Sequence, residues 1–326
     1  MIYDIVTLGE TMVRLTPPDN RRFEQAHQFD FYFGGSESNT AVGLARLGHK
    51  VAWLSRLPDH ALGRRLAATL TAYGVDVSQV AWAGADERLG LYYLEEGAAP
   101  RGSQVIYDRR DSAASRMTPA MLPPPLFMPD RARHLHLTGI TPALSPSAAA
   151  TAARALELAK AADWTVSFDV NYRAKLWEYD QARSGCAPFI EGCDLLIMPL
   201  RDARRLFFLA DHLAPDDALA ALAERYPDKT IALTIGAEGA IAYGGGGIVR
   251  QAAFPVEARS RIGAGDAFSA GLLHGYLRDP EDLANALRWA AAAAALKLTI
   301  PGDMPLFTHD ETAKLVRGHH PIDITR

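Results

Sequence analysis

From His134 onward the chain alternates short apolar runs with helical periodicities, and that alternation leaves few folds open. His134–Leu137, Val166–Asp169, Leu195–Met198 and Thr230–Ile235 each read as a buried strand. Between them stand an Ala-rich helix to about Ala162, a loop and helix after Asp169, and a helix from Asp202. Parallel strands need crossovers of this kind, so the pattern predicts an α/β fold: an open, mostly parallel sheet with helices on both faces. Upstream, Ile2–Glu10 and Val51–Ser55 read as strands. They flank a helix that starts at Gly34-Gly35-Ser36 and is stopped by Gly48. Asp59–Tyr73 is a further helix closed by Gly74, and Ala240–Tyr243 with Ile248–Val249 is a hairpin turning through Gly244–Gly247. Val80–Trp82, Gly90–Leu94 and Gln104–Tyr107 read as short antiparallel strands. With residues 11–33 they make a small lid, about 11–33 and 80–110, inside one domain spanning 1–326. Ligands of such sheets bind at the carboxyl ends of the strands, beside that lid.

Composition narrows the partners. A net charge of −4 gives no reason to expect nucleic acid or an anionic membrane. The two cysteines, Cys186 and Cys193, have neither zinc-site nor redox-pair spacing and read as buried free thiols of a reducing cytosol. The N-terminus runs straight into a strand without a basic region and apolar core, and the longest apolar stretch, Trp289–Leu296, is too short to span a bilayer. The expected location is cytoplasmic. The His319-His320 pair reads as a solvated tail.

Gly263-Ala264-Gly265-Asp266 follows the strand-like Ala253–Val256 and opens the helical pattern Ala267, Phe268, Ala270, Leu272, Leu273 and Tyr276. Small residues at a helix start let backbone N–H groups approach an anion, and the helix dipole adds partial positive charge there. An Asp in that turn beside a bound phosphate has a natural task as general base for a hydroxyl that attacks the phosphoryl group. A tight turn with a capping Asp accounts for the same residues.

Four more segments fall at junctions of the predicted sheet. In Gly34–Asn39, the adjacent glycines Gly34 and Gly35 let a polyhydroxyl ligand approach the backbone, and Asn39 offers a donor and an acceptor. Tyr107-Asp108-Arg109, preceded by Gly90-Leu91-Tyr92, puts Tyr107 and Arg109 on one strand face, where Arg109 can pair with a carboxylate. Phe168–Arg173 ends a strand in Asp-x-Asn-x-Arg. Thr234–Gly239 supplies glycines suited to nucleotide phosphates. Each has an ordinary structural explanation when taken alone.

Taken together and in this order, these segments resemble the ribokinase-like (PfkB) family of carbohydrate kinases. The resemblance runs from Gly9-Glu10 to Gly302 and is most specific at FGGSESNTAVGLARLG (Phe33–Gly48) and GAGDAFSAG (Gly263–Gly271). Within the family it is closest to the 2-keto-3-deoxygluconate kinases, through GLYYLEE (Gly90–Glu96), YDRRDSAAS (Tyr107–Ser115), LHLTGITPALS (Leu135–Ser145) and FDVNYRAKLW (Phe168–Trp177). It implies a three-layer α/β/α fold and ATP-dependent phosphorylation of the primary hydroxyl of a sugar acid. Gly34, Tyr92, Tyr107, Arg109 and Arg173 would contact the sugar acid. Asp266 would be the base, and the Gly263, Ala264 and Gly265 amides the anion hole. Thr234, Gly236, Glu238, Gly239 and Arg261 would border the nucleotide, with Mg²⁺ reached indirectly from Asp202. Use of a monovalent cation stays open.

Two departures from the family pattern stand out. Ser260 replaces an Asp before the GAGD run, and Pro199-Leu200-Arg201-Asp202 replaces Asn-x-x-Glu. They keep a catalytically weak, kinase-like sugar-acid binder in view, as the absence of a unique substrate signature keeps a kinase of a neutral ketose such as fructose or tagatose. A Rossmann dehydrogenase is poorly supported, since Gly9-Glu10 lacks the G-x-G-x-x-G spacing. Family members commonly pair through their lids, so a dimer or larger homo-oligomer is expected.

Overall fold

Among the described residues, fifteen strands account for the apolar runs. In chain order they are β1 (Ile5–Leu8), β2 (Met12–Thr16), β3 (Asp30–Gly34), β4 (Val51–Leu54), β5 (Arg56–Pro58), β6 (Val75–Asp76), β7 (Ala81–Ala83), β8 (Leu91–Glu95), β9 (Gln104–Asp108), β10 (His134–Thr138), β11 (Thr165–Asp169), β12 (Leu195–Pro199), β13 (Thr230–Thr234), β14 (Ala240–Gly244) and β15 (Gly247–Gln251). The helices are α1 (Ser36–Arg46), α2 (Ala61–Ala72), α3 (Ile140–Leu144), α4 (Pro146–Ala161), α5 (Tyr179–Gly192), α6 (Leu200–Phe207), α7 (Pro215–Arg225), α8 (Ala264–Tyr276), α9 (Leu283–Leu298) and α10 (His309–Val316). The structure, a computed structural model, describes residues 2–245 and 247–318. The His319-His320 pair lies outside the described residues.

Nine strands form one sheet in the order β15-β14-β13-β12-β11-β10-β1-β4-β6. All neighbours from β13 to β6 are parallel, while β14 and β15 close one edge as an antiparallel hairpin. Strand side chains alternate between two cores. In β12, Leu196 and Met198 join the core under α4–α7, whereas Leu195 and Ile197 join the one under α1, α2, α8 and α9. A strand buried on both faces has to be apolar throughout, which is why these runs show no polar alternation. The strand order reverses at β1, which lies between β10 and β4, so the carboxyl ends of β1, β10, β11, β12 and β13 surround a crevice.

Helix α8 is built for close approach. A Cβ on Gly271 or Gly275 would press on the backbone of Trp289, Ala290 or Ala286 in α9, and one on Gly43 of α1 would press on Ala270. The small residues of GAGDAFSAG and of the Ala-rich stretch therefore fix how deeply α8 sits, and with it the height of Asp266 in the crevice.

A second sheet, β3-β2-β8-β9, stands beside the crevice. It departs from the expected lid in two ways. First, β2 and β8 run parallel, so the sheet is mixed; the chain between them passes through α1 and α2, long enough to return in the same direction. Second, Ala81–Ala83 does not join this sheet but pairs in parallel with Arg56–Pro58, where buried Leu57 anchors it to the main core. A further difference concerns Ala253–Val256, which is irregular rather than strand-like. Pro255 has no N–H for a ladder, and this segment walls a cavity instead.

Both cysteines are buried and unpaired, and burial pushes each thiol up to about 12, leaving inert thiols. Among the described residues no helix is long and apolar enough to cross a membrane.

Candidate active site

The turn before α8 sets the site. Gly263 has φ 80°, a conformation that L side chains avoid, and its Cβ would overlap the Asp303 carbonyl oxygen. Among the described residues no side chain caps α8, which leaves its first-turn amides without a side-chain acceptor. At Gly265 a Cβ would meet open space. Gly265 is thus small for access and Gly263 for the backbone bend.

Asp266 lies in that first turn, 7% exposed. The Ser36 hydroxyl donates to its Oδ1 at 2.6 Å, and the Asn39 amide donates to its Oδ2 at 2.7 Å. Burial raises its pKa from the usual carboxylate value. The two hydrogen bonds and the Arg173 charge pull it back, while Asp303 adds to the rise. A carboxylate held this way is oriented, still ionisable and more basic than a surface Asp. Replacing Ser36 with Ala removes one restraining bond, so the acid limb of kcat/KM should move to higher pH. A pH–rate profile of the variant checks this, and an unmoved or lowered limb would contradict it.

Thirteen of the residues singled out from the sequence line one cleft of about 390 Å³: Gly34, Gly35, Asn39, Tyr92, Tyr107, Arg109, Arg173, Asp202, Thr234, Arg261, Gly263, Gly265 and Asp266. A second cavity of about 660 Å³ adjoins it, lined by Gly236, Ala237, Gly239, Ala264, Phe254, Val256 and the Ala-rich face of α9. Thr234, Arg261, Gly265 and Phe268 border both cavities, so the α8 N-terminus separates a polar chamber from a largely apolar one. Glu238 is exposed and lines neither.

Several contacts differ from the simple expectation of side chains facing a ligand. Gly35 is small because a Cβ would overlap the Glu10 carbonyl oxygen, and Gly34 because it packs on Asp303 and the Tyr92 hydroxyl. Asn39 is 2% exposed and spends its amide on Asp266, so it positions the carboxylate rather than presenting itself to a hydroxyl. Tyr92 donates its hydroxyl to Asp303, and its ring lies against Tyr107 at 5.9 Å between centroids. The Arg109 guanidinium forms a buried ion pair with Glu10, whose other oxygen accepts from Ser112. It also lies over Tyr107 at 5.6 Å. Arg173, by contrast, is exposed at the cleft and has no ion pair among the described residues.

Other site residues were given no individual role from the sequence, although Asp169 and Glu37 fall within segments singled out there. Asp303 is 3% exposed, accepts from Arg14 Nη1 at 2.9 Å and lines the cleft from a loop after α9. Asp169 receives the Asn171 backbone N–H at 3.0 Å and the Ser269 hydroxyl at 3.3 Å; burial and then Asp266 raise it to about 7. Glu37 is fully buried below the start of α1, takes hydroxyl bonds from Thr138 and Thr141 at 2.7 Å each, and is pushed by burial to about 7. The Asp-x-Asn-x-Arg pattern could have pointed to Asp169. Asp303 and Ser36 have significance only through partners hundreds of residues away.

The two departures acquire local reasons. Ser260 donates to Glu96 at 2.9 Å, and Glu96 also accepts from Arg14 at 2.8 Å, so an Asp at 260 would set a second carboxylate against Glu96. Pro199 ends β12 at the N-cap of α6, where its missing N–H costs nothing within the helix. Asp202 in the first turn of α6 is buried on the cleft, within 3.3 Å of the Tyr179 hydroxyl. Among the described residues no group of three or more His, Cys, Asp or Glu side chains could hold a metal ion.

Comparison with known proteins gives a consistent result. Residues 3–308 match the model of the pfkB family carbohydrate kinases. A 2-dehydro-3-deoxygalactonokinase of Haloferax volcanii is 41% identical over 318 residues, covering 98% of each chain. A 2-dehydro-3-deoxygluconokinase of Bacillus subtilis is 32% identical, covering 99% of this chain and 98% of its own. Among solved structures, the 2-dehydro-3-deoxygluconokinase of Thermotoga maritima superposes with a TM-score of 0.89 at 32% identity, covering 97% of this chain and 100% of its own.

Proposed function

This chain belongs to the pfkB family of carbohydrate kinases, and from that premise we propose that it transfers the γ-phosphoryl group of ATP to the primary hydroxyl of 2-keto-3-deoxygluconate, giving the 6-phosphate. It is a sugar phosphotransferase, and the Haloferax, Bacillus and Thermotoga relatives are kinases of 2-keto-3-deoxy sugar acids. The observation that carries the substrate reading is the pair Arg109 and Arg173 in the same cleft as Asp266. Two guanidinium groups suit an anionic sugar and would be poorly used by a neutral one.

Asp266 takes the proton of the primary hydroxyl as that oxygen attacks the γ-phosphorus and the bond to the ADP oxygen breaks. The amides of Gly263, Ala264 and Gly265 hold the phosphoryl oxygens as charge shifts. Arg173 draws the sugar carboxylate, and Arg109, fixed by Glu10, offers its remaining N–H groups. Tyr92 and Tyr107 wall the sugar. The apolar second cavity receives the nucleotide base, with Gly236 and Gly239 beside the phosphates and Arg261 at the junction. Glu238, exposed outside both cavities, is left at the rim. Mg²⁺ enters as MgATP. Asp202, a buried carboxylate already paired with Arg201 at 3.2 Å, fits an ion held chiefly by phosphates and water, which it would orient through water.

The mixed sheet β3-β2-β8-β9 is the lid, closing over the sugar and excluding water. Its outward Phe29 and Ile106 are exposed, and its edge strands suit pairing with a second copy. The free buried thiols fit a reducing cytoplasm.

The test is ADP formation from MgATP with 2-keto-3-deoxygluconate, its galactonate epimer, fructose and ribose. Selective turnover of the sugar acids is expected. The Haloferax relative's name makes comparable turnover of the galactonate epimer the second reading. Turnover of a neutral ketose would reassign the arginines, and sugar-acid binding without ADP formation would leave a binder.

A further inference from the structure

Lys297 lies in the last turn of α9 and is 0% exposed. Its ammonium donates to the Ile300 carbonyl at 2.9 Å. Its Cε lies 3.2 Å from where a Cβ on Gly263 would stand, directly behind the turn that opens α8. Lysine is almost never fully buried unless paired, and an exposed Lys or Arg would serve α9 as a C-terminal cap equally well. Burial here therefore needs a reason beyond capping.

The charges around Lys297 supply one. The groups that act on it are Asp303 from the loop after α9, Arg14 from β2, Asp266 from α8 and Glu96 just after β8. Without Lys297 these leave three carboxylates against the Arg14 guanidinium behind the turn, with Arg173 and Arg261 the cations on its cleft side, at the place where a triphosphate must approach. We propose that Lys297 is a positioning residue for phosphoryl transfer: its fixed positive charge behind Gly263 offsets these carboxylates and makes the α8 turn receptive to the γ-phosphate. The inference rests on that turn being the phosphate site. Lys297 touches no reacting atom and acts through the turn. Burial pushes its ammonium down to about 8, with Asp303 opposing, so the charge is lost within an accessible pH range.

The experiment is kcat/KM for ATP, which reports the free enzyme, measured from pH 6.5 to 10 on the wild type and on Lys297→Met, with thermal unfolding alongside. The wild type should lose activity as pH rises through about 8. At neutral pH, Lys297→Met should fall about 10- to 100-fold in kcat/KM for ATP, less than loss of a direct oxyanion donor. Its KM for the sugar should be unchanged, and its alkaline limb should be absent. The melting curve separates a folding defect from a catalytic one, since methionine also removes the donor to the Ile300 carbonyl and leaves the neighbouring carboxylates without their offset. A wild-type profile flat from pH 7 to 10 overturns the proposal, even if the variant does not fold. So does a variant that keeps wild-type kcat/KM for ATP or retains the alkaline limb. If the wild type phosphorylates no sugar, the kinase-site reading fails and the role of Lys297 falls with it; an active wild type with a flat profile overturns the Lys297 role alone.

Discussion

Asp266→Asn should lower turnover by about 10²- to 10⁴-fold, the usual contribution of general acid–base catalysis, while the protein remains folded and binds sugar. Asparagine keeps the size of the group but has no carboxylate to accept the hydroxyl proton. The fold should tolerate the change because burial holds the Asp266 pKa above its unfolded value. A carboxyl raised in this way contributes stability below its unfolded pKa and loses it as pH rises through the folded value. At neutral pH the ionised group is therefore a net cost to the native state. Asn removes that cost at the expense of setting an N–H near the Asn39 amide. ADP release at saturating sugar acid and ATP, with a melting curve on the same sample, checks both halves. Turnover within a few-fold of wild type would remove Asp266 from the mechanism.

Replacing Arg109 and Arg173 together by Gln should raise KM for the sugar acid by about 10²- to 10³-fold, in line with the 2–5 kcal/mol lost when buried charge pairs are truncated. The two arginines should contribute differently. Arg173 is exposed and has no ion pair among the described residues, so Arg173→Gln should weaken the sugar acid by about two- to fivefold, as expected for a solvated pair, and leave stability unchanged. Arg109 is 8% exposed and bonded to Glu10, which is 2% exposed. Truncating it strands a buried carboxylate, and breaking such a pair costs about 3–5 kcal/mol of stability. The Glu10→Gln, Arg109→Gln double variant should recover much of that stability without recovering sugar-acid affinity. Steady-state kinetics with a sugar acid and a neutral ketose separate the readings. If both substrates respond alike, the arginines do not read the carboxylate.

The layered sheet was legible because buried parallel strands must be apolar on both faces and must be joined by helices. The alternation of Leu195–Met198 with its flanking helices carries that information locally. The turn before α8 was legible for a similar reason: three small residues and an Asp at a helix start are a local pattern, and Asp266 does stand at the α8 N-terminus. The parallel pairing of β2 with β8 and the separate pairing of β7 with β5 were not legible, since period-two alternation marks a strand but not its partner or direction. Ala253–Val256 has the composition of a strand, but Pro255 and the cavity beside it leave it irregular.

Local patterns of residues set where the elements lie, that they make an α/β sheet, and which short segments gather at its carboxyl edge. These follow from the burial and backbone rules of neighbouring residues. Only the tertiary structure decided what each polar side chain does there. Asn39 and Ser36 steady Asp266 from 227 and 230 residues away, Glu10 holds Arg109 from 99, and Asp303 reaches back to Arg14 across 289. The energies that set these roles are desolvation, paired charge and hydrogen bonding. They depend on distances through space that spacing along the chain does not encode.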